Sequence, residues 1–274
     1  MSLKTLNPTV RWLVLLGLVP LVRAEEPGMR TVWEHLAGSQ PVLARVGLDD
    51  ATDGDARMKA LAQAAIELAR PPIREGDWNR IEPVLAQLAA GEDEVAARAL
   101  YLRARMHQVH RVVPDHARAE ALYRELDRRW PGSHWAQLGL VKLGLVKLYT
   151  LPEPADPRAR IAGVLALLER IEEPPLRRDL LLQVGWAALF YDLPHAEVLP
   201  HLIAAEAIGG MLGITPEDLV IQIGELSFRN GELEQARHYF QRFLTEFPTN
   251  SRKFNVERRL DEVEAALAAK GGAS

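Results

Sequence analysis

From Asp53 onward the apolar residues recur every three or four positions, the spacing that gathers side chains on one face of an α-helix. Met58, Leu61, Ala65 and Leu68 predict a helix over Asp55–Arg70, which Pro71-Pro72 ends. Trp78, Ile81, Leu85 and Leu88 predict a second over Trp78–Ala90, with Pro83 in its first turns, where a missing N–H is tolerated. The same reading places helices at Glu92–His110, Asp115–Trp130, Ser133–Tyr149, Pro157–Ile171, Pro175–Tyr191 and His195–Ile208. Two more follow, one from about Pro216 to the Asn230-Gly231 stop and one ending at Phe247-Pro248. Three prolines in Leu151–Pro157 forbid continuous helix there. Taken in twos these segments make about five antiparallel helix pairs, an all-α chain. Val256, Leu260, Val263 and Leu267 then form a narrow stripe among charges, which suits a terminal capping helix. Before Asp53 the pattern is poorer. Thr31 is expected to cap a short helix through Leu36, Gly38–Pro41 interrupts it, and Val42–Val46 is a further helical turn, so 25–52 reads as an irregular N-terminal cover or a partly disordered leader.

The stretch 215–248 specifies a packing geometry. Val220, Ile223, Gly224 and Ser227 share one side of the first helix, Ala236 and Phe240 lie one turn apart on the second, and Pro248 follows its end. Small residues on both helices let the axes approach, and Phe240 fills the space beyond. The pattern resembles the tetratricopeptide repeat, with W-x2-L-G-x2-Y, then A-x3-F, then P. Val220 and Ser227 stand where that signature has aromatic residues. Ala119-x3-Tyr123 and Trp130-Pro131 repeat the second half, and Ala119–Pro131 and Ala236–Pro248 have the same length. A Gln, apolar, Gly triplet recurs at Gln137-Leu138-Gly139, Gln183-Val184-Gly185 and Gln222-Ile223-Gly224, at intervals that fit helix pairs with unequal loops. The tandem LGLVK of Leu138–Lys147 has a five-residue period that fits neither pattern. The resemblance implies a right-handed superhelix of antiparallel helix pairs over 53–250, capped by 251–274, whose first helices line a concave surface for a partner protein.

Composition and charge narrow the setting. Lys4 and Arg11 precede the apolar run Trp12–Val22, and Val22-Arg23-Ala24 offers a small-residue cleavage site, so 1–24 reads as a signal peptide. The run is shorter than the roughly 20 apolar residues of a membrane span, which makes an uncleaved anchor the lesser reading. Losing 1–24 removes three cations and no acid, moving the formal charge from −4 to −7. A mildly acidic, exported protein of a Gram-negative envelope is expected, without nucleic-acid binding or stable membrane insertion. The absence of cysteine excludes disulfides and thiol-linked lipid.

Candidate chemistry is sparse. His107 and His110 lie a turn apart with His116 and His134 nearby, but no H-E-x-x-H or placed carboxylate completes a metal site. The doublets Asp49-Asp50 and Glu172-Glu173 sit at turn signals, and neither a phosphate loop nor a G-x-S-x-G elbow occurs. No catalytic residue, cofactor or metal is therefore assigned. Arg98–His134 carries eight arginines against four acids. Arg103, His107 and His110 would point together into the groove, with Gln137, Gln183 and Gln222 as a polar ladder beside them. The expected role is a non-catalytic adaptor that holds a peptide or helix of another envelope protein. A helical accessory to a separate cell-wall-cleaving enzyme and a self-assembling structural protein are the alternatives.

Overall fold

A computed structural model describes residues 28–70, 73–213 and 215–271, so the expected signal peptide lies outside the described residues. Among them are thirteen α-helices and no strand. Two compact units divide at Ala69–Arg70.

The first unit is a regular three-helix assembly: α1 (Met29–Ala37), α2 (Pro41–Asp50) and α3 (Ala56–Leu68). Met29, Val32, Ala44, Leu48, Ala51, Ala62 and Ile66 form its core. Residues 25–27 lie outside the described residues, and over 28–52 the expectation of irregular chain fails because the stabilising groups are distant in sequence. Thr31 lies inside α1 rather than capping it, and the Met29 N–H donates instead to Asp53 Oδ1 at 2.7 Å, across 24 residues. Asp55 caps α3 through the Met58 N–H.

The second unit runs through α4 (Glu75–Leu88), α5 (Glu94–Arg105), α6 (His116–Arg129), α7 (His134–Tyr149), α8 (Pro157–Leu165), α9 (Pro174–Phe190), α10 (His195–Ile208), α11 (Thr215–Arg229), α12 (Leu233–Glu246) and α13 (Lys253–Gly271). The two helices expected as the first pair fall in different units, α3 in the first and α4 in the second. Helix α3 packs on α2 and α1, whereas α4 packs on α5. Because α4 begins at Glu75, Pro83 falls in its interior rather than its first turns. Beyond it, consecutive helices pack on one another and α7 also packs on α9, the neighbour relations of a helical repeat.

The echoed motifs occupy equivalent places. Ala119, Tyr123, Ala236 and Phe240 are wholly buried. Trp130 and Phe247 end α6 and α12 in nearly the same backbone conformation, with φ, ψ of −131°, 61° and −127°, 56°. A Cβ on Gly224 would lie 2.7 Å from the Phe240 ring, and one on Gly185 2.4 Å from Leu202, so α11 approaches α12 and α9 approaches α10 over a glycine. Gly139 differs, facing Tyr123 and Leu126 of the preceding helix. Five residues later, about 140° around the helix, Gly144 faces Val164 and Leu180. The tandem LGLVK thus gives α7 two close-approach faces.

Candidate functional site

The predicted basic groove is not assembled. Helix α5 ends at Arg105 and its last turn widens into a π-helical turn, Met106–His110, so the three-and-four spacing assumed for Arg103, His107 and His110 is interrupted. Arg103 is committed to Glu82 of α4, with Nε and Nη2 at 2.7 and 2.6 Å from Oε1. His107 is buried, 6% exposed, edge-on to Trp78 at 5.6 Å, with neither ring nitrogen hydrogen-bonded within the protein. His110 is half-buried. Nearby arginines are also engaged, Arg124 with Glu120 and Arg129 with Glu125 and two backbone carbonyls. Burial lowers the Arg98 pKa to about 10, and the guanidinium lies 4.6 Å from the Trp135 ring centroid.

Burial also pushes the His107 pKa below its ordinary value, against the opposing pull of Asp115 and Glu82. His110 and His201 shift the same way, again chiefly through burial. The unfolded chain therefore binds these protons more readily, so the contribution of these three histidines to stability is complete above about pH 7 and is lost as the pH falls below about 6.5. Replacing His107 with phenylalanine keeps the ring and removes its share of this dependence. The difference in Tm between pH 7.5 and 5.5 is expected to shrink in the variant, and an unchanged difference would refute the assignment.

The glutamines do not form one ladder. Gln137 is 3% exposed, and its Oε1 accepts from the Glu172 and Glu173 N–H groups while Nε2 donates to the Gly132 carbonyl. It is a buried clamp on the start of α9. Gln183 is half-buried, with its Oε1 close over Gly144. Gln222 of α11 accepts from Trp186 Nε1 of α9 at 3.2 Å.

That last contact belongs to a face the sequence reading overlooked. Asp179, Gln183, Trp186 and Phe190 follow three-and-four spacing along α9. Trp186 and Phe190 are 42% and 70% exposed, and Tyr149 at the end of α7 is 39% exposed. Tyr149 meets Phe190 edge-on at 5.4 Å and stacks on Tyr191 at 6.4 Å, and Tyr191 is tied to the Leu148 carbonyl by its hydroxyl. One turn-pair earlier on α7 lies Lys142, whose pKa is lowered by burial and by the charge of Arg105 and raised by Asp179. The α7 and α9 surfaces thus carry an open aromatic end and a charged end. The sequence pattern does not single out Trp186 and Phe190, because their exposure depends on the packing of α7, α9 and α11.

Among the described residues no group of His, Asp or Glu is placed to hold a metal ion, and no helix is long and apolar enough to cross a membrane. No protein-family model matches the chain, and no curated protein shows significant similarity to it. Fold and packing define an all-α protein with helical-repeat-like neighbour relations.

Proposed function

We propose that this chain is a non-catalytic interaction scaffold of the tetratricopeptide kind, working in a bacterial envelope and holding an extended peptide or a helix of a partner protein. The partner lies across the first helices of successive pairs, α7, α9 and α11. One observation carries the reading: Tyr149, Trp186 and Phe190 stand open on adjacent helices, although large aromatic side chains gain most by burial. Their mutual ring contacts and the Trp186–Gln222 bond hold them in place before a partner arrives, which lowers the ordering cost of binding. The charged end around Lys142 and Asp179 then sets the direction in which the partner lies.

Aromatic anchors at interface centres are worth about 2 kcal/mol or more each, roughly 30-fold in affinity. A Trp186→Ala, Phe190→Ala variant with unchanged circular dichroism is expected to lose at least that factor for a partner isolated from envelope extract. An Arg103→Ala variant keeps it. Equal retention by the aromatic variant, or loss only with Arg103→Ala, would defeat the proposal.

A further inference from the structure

A second site lies away from the aromatic face. Between the start of α4 and the π-helical turn after α5 is a cleft of about 340 Å³, within the range of small-molecule sites of roughly 300–1,000 Å³. The π-helical turn builds it. The Asp115 N–H donates to the His107 carbonyl at 2.9 Å, folding the intervening loop back, while Asp115 also caps α6. This brings the Arg111 guanidinium to 4.9 Å from the Trp78 ring centroid.

Three features of the cleft ask for the same occupant. Val112 and Val113 line it while 88% and 74% exposed, an apolar surface that nothing in the second unit covers. The buried Nε1–H of Trp78 has no acceptor in the protein, and His107, packed edge-on against that indole, makes no hydrogen bond through its ring, with Nε2 4.0 Å from Glu82 Oε1. A buried donor left unpaired costs about 1–3 kcal/mol. Two arginines, Arg74 and Arg111, line the cleft with one acid, Glu75, and Asp115 Oδ2 stands 3.8 Å from the Arg111 guanidinium, beyond hydrogen-bond reach. We propose that this cleft binds a small amphipathic carboxylate, whose apolar part covers Val112 and Val113 and whose carboxylate meets Arg111 and the donors at Trp78. A neutral molecule of the same shape would answer the Trp78 N–H but gain no ion pair with Arg111, and a cation would face the Arg74 and Arg111 guanidinium groups.

The test titrates the purified protein with octanoate, octanol and octylamine, following the indole N–H resonances, with that of Trp78 assigned by its loss in Trp78→Phe. Octanoate is expected to bind at least tenfold more tightly than either analogue and to move the Trp78 resonance. Arg111→Ala is expected to abolish that preference, and Trp186→Ala, Phe190→Ala to leave it intact. Equal binding of octanol, wild-type affinity in Arg111→Ala, or a response that follows the Trp186 variant would each overturn the assignment.

Discussion

Replacing Phe240 with alanine lowers the unfolding free energy by about 3–5 kcal/mol, a fall in Tm on the order of 10 °C for a chain of this size. Phe240 is wholly buried on α12 beneath the one point where α11 has no side chain. A Cβ on Gly224 would lie 2.7 and 2.9 Å from two of its ring carbons, closer than carbon atoms approach without strain. Two separations follow. Gly224→Ala destabilises the wild type, because the ring is held on all sides and overpacking outweighs helix propensity. In the Phe240→Ala background the same change falls into vacated space and recovers up to about 1 kcal/mol of propensity. The two changes are therefore strongly non-additive, as expected of groups in contact. Additive effects, or a loss below about 1 kcal/mol for Phe240→Ala, would show that α11 and α12 do not meet in this way.

Gln137→Leu is expected to cost about 2–3 kcal/mol, while Gln222→Leu costs less than about 1 kcal/mol. The side chains are chemically identical and occupy equivalent positions in the triplets. Gln137 is buried and answers three backbone groups, the N–H of Glu172 and Glu173 and the carbonyl of Gly132. Leucine keeps the volume but leaves those groups without their partner, and an unmet buried polar group carries its full desolvation cost. Gln222 makes one hydrogen bond to the exposed Trp186, and water replaces it. Chemical denaturation of both variants decides the matter. Equal losses would mean that Gln137 does not clamp the start of α9.

What was legible in the sequence was whatever depends on near neighbours. Ala236-x3-Phe240 and Ala119-x3-Tyr123 name small and large residues one turn apart, and both pairs are fully buried. The helix spans read from the sequence begin at Asp115 and Ser133, and each of these residues caps the helix that follows. The failures share a different cause. Asp53 supports α1 across 24 residues, and Glu82 takes Arg103 across 21. No local pattern announces either pairing. The π-helical turn after Arg105 likewise changes which way the following histidines face. Apolar periodicity identified α9 but did not separate the residues buried beneath it from Trp186 and Phe190 on its open side, because that distinction belongs to its neighbours. The five-residue repeat in α7 became intelligible only once Gly139 and Gly144 were seen to face different helices.

Site-specific photo-crosslinking in cells tests the central claim most directly. A photoreactive phenylalanine analogue is placed at Phe190 on the aromatic face, at Tyr149 beside it, and at the exposed Ala204 of α10 as the control. The scaffold account predicts one discrete protein adduct shared by positions 149 and 190 and absent at 204. No adduct at 149 and 190, or the same adduct at all three positions, would contradict it.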